Sequence, residues 1–363
     1  MPASGKERML KTLWDPRVAR ALITILIFAL ALAFVHAARE TLTLFLFAIL
    51  FAYLVDPLVS RLEKPLPGRA KAIAAVYILL LGIVVGAGFL VGPRIAEESK
   101  ELTTSLPSLV ERMSSGQLLS QVGNNHGWSG AKQAQIQNFL VSHRDDFLNY
   151  ARLAGEKLAT PAKHIWWLIL IPILSVFFLK NGKSIAGNLV DLARDPAEKH
   201  VARGIVADVN VMLGSYIRAQ LILSSLTLVV YTLVLSLMLV PYAFILGPVA
   251  GLFEFVPVVG PAVAALSVFV IAILSGYSHV VWLVVFLGVW RLTQDYVNGP
   301  RIMGKSLEIS PLVQIFGVLA GGEIGGVVGA LISVPTIAIL RILWRRLSSP
   351  QSVEEPAVAS MEA

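Results

Sequence analysis

Glu254 and Glu323 are the residues of this chain best placed to do chemistry, because each is a carboxylate inside an apolar block long enough to enter a lipid bilayer. On insertion scales a charged side chain at the centre of such a segment costs about 2.5–3.5 kcal/mol. A carboxylate kept there should face protein or water, where it can hold a proton, a cation or a polar solute. Capping a broken helix, or lying near the interface, is the plainer use of either residue. Gln294, Asp295 and Asn298 form a second group, roughly on one helix face just ahead of Gly299. Side chains three and four apart on a helix are neighbours, so these residues can line a polar path or close a helix end.

Other chemistries fail on context. Gly299 to Ser306 matches the phosphate-loop spacing G-x-x-x-x-G-K-S, but that loop needs a buried strand before it and a helix N-terminus after it. Here an apolar helical segment comes first, and Leu307 to Pro311 leads straight into a glycine-rich apolar block. The chain has no cysteine, which removes disulfides, thiolate metal ligands and cysteine nucleophiles. It also lacks an H-E-x-x-H zinc helix and a G-x-S-x-G elbow. No catalytic residue, metal or cofactor is expected, and the chain does not read as an enzyme. His36, ending the first apolar run, reads as an interfacial or packed histidine, and Asp56 as a cap on the turn after the second.

The elements that must position these residues are membrane helices. Of 363 residues, 56% are hydrophobic and 15% charged, against about 25% charged in an ordinary soluble domain. Mean hydropathy is +0.74. The apolar residues come in long runs with charge between them, as in a chain whose solvent is lipid. A net charge of +7 would suit nucleic acid, yet the basic residues gather at the ends of apolar runs and no basic patch with interleaved aromatics is present. The expected partner is the bilayer, not nucleic acid.

Lys6, Arg8, Lys11, Arg17 and Arg20 precede the first span, Ala21 to Ala38, which has no cleavage motif before Arg39. Thr41 to Val59, Ala72 to Gly92, Ile165 to Leu179, Ala219 to Val240 and His279 to Tyr296 are read as further spans. The positive-inside rule places the N-terminus and the turn with Arg61, Lys64, Arg69 and Lys71 in the cytoplasm. Residues 94–164 mix both charge signs with apolar residues at Leu102, Leu106, Leu109, Val110 and Met113, an extracytoplasmic helical insert that turns at Asn124 to Gly130. Ahead of the fifth span, Val201, Ile205, Val209, Met212 and Tyr216 make the stripe of an amphipathic cytoplasmic helix. The tail from Ser348 to Ala363 is polar, acidic and expected to be disordered.

Tyr242 to Leu274 and Leu312 to Leu340 run well past the residues a straight span needs, about 20. Each is interrupted near its middle, the first by Pro257, Gly260 and Pro261, the second by Gly321, Gly322 and Gly325, with Pro335 further on. Such breaks free backbone groups that lipid cannot satisfy, so they survive only against protein or a polar cavity. Both blocks are read as re-entrant helical hairpins. Parity agrees: with two hairpins entering from opposite faces, Arg301, Lys305, Arg341, Arg345 and Arg346 all fall in the cytoplasm, as do both termini. Discontinuous apolar segments in opposed orientation are the sequence pointer to a transport site near the midplane. Glycines four apart, such as Gly82 with Gly86 and Gly322 with Gly326, read as close helix packing.

Phe51-Ala-Tyr-Leu-Val-Asp-Pro-Leu-Val59, then Gly251-Leu-Phe-Glu-Phe-Val-Pro-Val-Val-Gly-Pro261, Gln294 to Lys305 and Gly321 to Pro335 resemble, in that order, the autoinducer-2 exporter family of bacterial membrane proteins, also described as PerM-like permeases. The likeness covers most of the chain, while the insert at 94–164 matches only in place and helical character. The resemblance implies secondary transport in the bacterial cytoplasmic (inner) membrane. Members are credited with exporting a small quorum-sensing furanone, autoinducer-2, and others with sodium/proton antiport. It also implies a homo-oligomer, a pentamer being one size it allows, and it places Glu254, Gln294, Asp295, Asn298 and Glu323 on matching motifs. Two positions depart from the pattern. Ser310 stands where members often carry His before Pro311, and Asp295 where Glu is usual, which puts histidine-borne proton coupling in doubt here.

The expected architecture is an all-α polytopic membrane protein with about six transmembrane helices plus two glycine/proline-broken re-entrant hairpins. Residues 1–93 hold the tail and three spans, 94–164 the insert, and 165–240 the fourth span, amphipathic helix and fifth span. Residues 241–346 form the transport core and 347–363 the disordered tail. The expected function is secondary transport of a small polar solute or exchange of sodium for protons. A passive channel and a non-transporting cell-envelope scaffold are the rivals.

Overall fold

The computed structural model describes residues 16–114, 165–303 and 309–348, with a few helical residues between 130 and 142. In chain order the helices are α1 (Pro16–Ala37), α2 (Arg39–Leu62), α3 (Arg69–Ser114), α4 (Ile165–Asp191), α5 (Pro196–Leu237), α6 (Ala243–Phe253), α7 (Val259–Leu274), α8 (Val280–Thr293), α9 (Gly299–Met303) and α10 (Pro311–Ser348). A π-helical turn, Gln294–Asn298, joins α8 to α9. Among the described residues there is no strand, and seven helices are long and apolar enough to cross a membrane. The protein is an all-α polytopic membrane protein.

One of those seven, α10, is not a straight span. At Gly326 the backbone takes φ 60° and ψ −145°, a conformation that a side chain would forbid and glycine permits. Beyond it the chain runs back on itself. A Cβ placed on Gly321 would lie 2.9 Å from the carbonyl carbon of Gly329, and one on Gly317 would strike the Ile337 side chain. In a straight helix residues 317 and 337 would stand about 30 Å apart. With α10 folded at Gly326, six long helices and two hairpins remain, the first in chain order being α6 with α7 and the second α10. At 11 residues, α6 reaches about 16 Å, half the hydrocarbon thickness.

The helices pack around two larger cores, with smaller clusters between α5 and α10. Ala52, Val55 and Val59 of α2 bury against Ala72, Ile73 and Val76 of α3 and Leu179 of α4. Arg69 locks this unit, pairing with Asp56 at 2.6 Å and Glu63 at 3.0 Å and donating to the Leu179 carbonyl at 2.8 Å. Asp56 therefore acts through an ion pair across the turn. The other core joins Tyr231 and Leu235 of α5, Leu246 and Ala250 of α6, Val268 of α7 and Leu283 of α8. By contrast α1 buries none of its apolar face within the chain.

Helix α5 links the two ends of the molecule. Its 42 residues span about 63 Å, twice a bilayer core, so one continuous helix serves as both the amphipathic stripe and the fifth span. Met212, Leu213, Tyr216 and Ile217 bury its lower stripe against Val334, Ala338 and Ile342 of α10. Helix α3 likewise runs through residues 93 and 94 without a break. The turn expected at 124–130, most of the insert and the tail beyond Ser348 lie outside the described residues.

Candidate functional site

The first hairpin descends α5 by virtue of two glycines. A Cβ on Gly247 would lie 2.8 Å from the Thr232 Cα, and one on Gly251 would lie 2.7 Å from the Leu228 Cβ, so only glycine lets the two backbones approach this closely. This Gly-xxx-Gly pair carries the packing. Gly82, Gly86 and Gly322 face open space within the chain. Ser224 donates to the Gly251 carbonyl at 2.6 Å, a buried hydrogen bond. At the entry, Glu98 of α3 accepts the Phe244 and Ile245 amides at 3.0 and 3.2 Å. An acidic side chain there satisfies orphan N–H groups at the N-terminus of α6 and complements its dipole.

This approach delivers Glu254 to the tip of the hairpin, where it is 8% exposed. The tip itself is strained. Val258 sits at φ 64°, ψ −57°, and the Val259 amide donates to the Pro257 carbonyl at 2.7 Å. Those dihedrals with an i to i+2 hydrogen bond make a positive-φ γ-turn, rare and costly for a β-branched residue. Pro257 thus lies in the turn, and Gly260 and Pro261 in the first turn of α7. A side chain at Gly260 would run into the Phe253 carbonyl. Gln220 of α5 donates to the Glu254 main-chain oxygen, so the tip hangs on the long helix by both backbone and side chain.

The Glu254 carboxylate has two unlike oxygens. Thr227 donates to Oε2 at 3.0 Å, and Thr227 in turn accepts from the Gln294 amide at 2.7 Å. Asn298 donates to the Gln294 carbonyl oxygen at 2.8 Å. Each group in this line from Asn298 to Glu254 donates toward the carboxylate. The other oxygen, Oε1, has the Arg291 guanidinium 3.9 Å away, too far for a hydrogen bond. Arg291 instead binds Asp295 at 2.5 Å.

The π-helical turn arranges this face. Pro300 has no N–H to offer the helix, and the Gly299 amide reaches back to the Gln294 carbonyl, five residues away. The widened turn leaves Gln294 buried against Leu223 and Thr227 of α5 while Asp295 stays exposed. Such bulges recur at functional sites because they re-aim side chains. Gly299–Met303 is helical and follows a helix, so no strand precedes the phosphate-loop match.

Four of the five candidate polar residues therefore meet: Glu254, Gln294, Asp295 and Asn298. Glu323 does not join them. It is exposed near the tip of the second hairpin, without a hydrogen-bond or ion-pair partner among the described residues. Gly321 packs against Gly329, Gly322 and Gly325 face open space, and Pro335 lies within the second arm, where the helix continues. The site also contains Gln220, Ser224 and Thr227, which sequence reasoning passed over. Their spacing on an apolar span is i, i+4, i+7, one polar stripe on one helix face, and that signal was available. Arg291 was missed because it resembles a flanking basic residue.

Residues 22–349 match a family model described as AI-2E family transporter. The chain is 25% identical over 297 residues to the putative transport protein YrrI of Bacillus subtilis, covering 82% of this chain and 83% of that one. It is 24% identical over 326 residues to the AI-2 transport protein TqsA of Escherichia coli, covering 88% and 90%. A putative transport protein of Haemophilus influenzae is 26% identical over 347 residues, covering 92% and 94%.

Proposed function

Because the chain belongs to the AI-2E transporter family, we propose that it is a secondary transporter of the bacterial cytoplasmic membrane in which Glu254 is the exchange site. The observation that carries this reading is the asymmetry of the carboxylate. Oε2 is held by Thr227, while Oε1 has no hydrogen-bond donor among the described residues and faces the Arg291 guanidinium at 3.9 Å. An ionised group so deep in a membrane protein requires a partner, and the unfilled oxygen is where a proton, a sodium ion or a donor group of a small polar solute would bind. Gln294 and Asn298 align the carboxylate, and Asp295 stands at the rim.

The second hairpin is assigned to the same path from the other side. Along α5 the Arg346 side chain lies beside Gly204, Ala338 and Ile342 beside Met212 and Leu213, and Val334 beside Tyr216 and Ile217. Eight further residues bring its arm to Gly326, a rise of about 12 Å, which heads toward the level of Ser224. Half-helices entering from opposite faces and ending at one level are the arrangement of alternating-access transporters. Glu323 would then serve as a second carboxylate on the path, exposed in this state and engaged when the hairpins move. Export of an autoinducer-2-like furanone, sodium/proton antiport, a homo-oligomeric state and cytoplasmic termini belong to the same proposal.

The test is flux into sealed vesicles containing the purified chain, with and without imposed proton and sodium gradients, across a panel that includes the furanone. Gradient-dependent flux in wild type that disappears in Glu254→Gln is the expected result. Flux without any gradient dependence would make the protein a channel. No flux for any solute, with Glu254→Gln indistinguishable from wild type, would sink the transport site.

A further inference from the structure

Among the described residues, Arg291 is the one cation that pairs with the site, and its placement is unusual. It reaches two carboxylates, Asp295 at 2.5 Å and Glu254 at 3.9 Å, and is itself only about one third exposed. Among the described residues no other charged side chain pairs with these three. Two carboxylates against one guanidinium leave a single surplus negative charge. Without Arg291 the same pocket would hold two, with Glu254 Oε1 unfilled and Asp295 across from it.

We propose that Arg291 is a tethered counter-ion that sets the valence of the site: it occupies the place a second charge would take, so that one monovalent cation or proton balances the pocket and divalent cations are excluded. The inference rests on Glu254 as the exchange site. Its physical basis is the cost of uncompensated charge. Around a carboxylate as buried as Glu254, net charge governs which ion is retained, because each unbalanced unit interacts with its neighbours more strongly than in bulk solvent. Arg291 suits the role because guanidinium stays charged at any working pH and its planar fork can address two carboxylates at once. Its tight hold is on Asp295 and its loose one on Glu254, so Oε1 can be filled and emptied while Arg291 keeps one ion pair throughout. A lysine would supply the same charge through a single point.

The experiment measures thermal unfolding of the full chain in lipid nanodiscs with calcium added against choline at constant ionic strength. Wild type and Arg291→Lys should show no calcium-specific rise in melting temperature. Arg291→Gln should gain one, and Arg291→Gln combined with Glu254→Gln should lose it again. An Arg291→Gln protein that responds to calcium no more than wild type overturns the inference. A second measurement does not depend on that variant folding well. Asp295→Asn removes the surplus charge and should depress gradient-dependent flux, and adding Arg291→Gln, which restores it, should recover that flux. Equal flux in the single and double variants also overturns the inference. Neither result is confused with failure of the exchange-site reading, which is decided by Glu254→Gln in otherwise wild-type protein.

Discussion

The two folded-back apolar blocks meet the same constraint in different ways. Both must turn a chain inside or beside lipid, where every freed amide and carbonyl needs a partner. The first turns on a strained γ-turn at Val258 and is held to α5 by close contacts at Gly247 and Gly251 and by Gln220, Ser224 and Thr227. The second turns on glycine at Gly326 and packs mainly through its outgoing arm, leaving a tip where Ile324 is 90% exposed. Rigid fixation belongs where a carboxylate must hold a geometry. A loosely seated glycine tip belongs where an element must move, since segments with few buried contacts open at low cost. In the proposed reading, the first hairpin is the site and the second the gate.

The sharpest way to break that division is to neutralise each carboxylate in turn. Glu254→Gln should bring gradient-dependent flux down to that of empty vesicles, because no other carboxylate among the described residues is buried. Glu323→Gln should slow flux while leaving its dependence on the gradient intact. If the two variants lose coupling equally, both hairpins carry the site and the assignment of a gate fails.

Next in size is a contrast of glycines. Gly251→Leu drives a side chain into the Leu228 and Ser224 backbone of α5 and should destabilise by about 3 kcal/mol, the upper end for overpacking. Gly322→Leu meets no atom within the chain and should leave thermal stability in nanodiscs unchanged. A large loss at Gly322 instead would mean that the second tip is packed against another copy. Smaller again is Val258→Gly, which relieves a positive φ at a β-branched residue. It should raise stability by about 1 kcal/mol while lowering flux, since the Glu254 tip is no longer fixed. A gain in stability with no loss of flux would separate the strain from the function.

The sequence carried much of this. The two long apolar blocks, their interruption, and the group Glu254, Gln294, Asp295 and Asn298 all follow from where polar residues stand in an apolar background. Glu323 could be marked as costly but not placed, because its environment depends on how a glycine-rich segment turns. Expected breaks at Gly321, Gly322, Gly325 and Pro335 bracket the turn at Gly326 without identifying it, since composition marks a weak stretch and φ picks the residue. The γ-turn at Val258 has no local signal at all: a β-branched residue there contradicts propensity, and only packing on both sides holds it. Arg291 became visible only once α8 was seen to lie against the tip of the first hairpin.

The smallest effect concerns what holds the second hairpin at its base. Asp208 of α5 binds Arg345 at 3.1 Å and Arg346 at 2.9 Å, in the amphipathic half of α5. These two arginines, with the Arg346 hydrogen bond the larger cause, hold the Asp208 carboxyl below its ordinary value. A depressed carboxylate stabilises fully above its unfolded value, about 3.9, and that contribution is lost as pH falls through the lower folded value. Exposed ion pairs are screened and weak, so the clasp should matter for the arm and not for the fold. Amide exchange across residues 338–346 should therefore quicken in Asp208→Asn at neutral pH, and in wild type only below about pH 4, while exchange around Glu254 stays as it was. If Asp208→Asn instead loosens the first hairpin, the two hairpins are mechanically one body, and a gate moving against a fixed site is the wrong description.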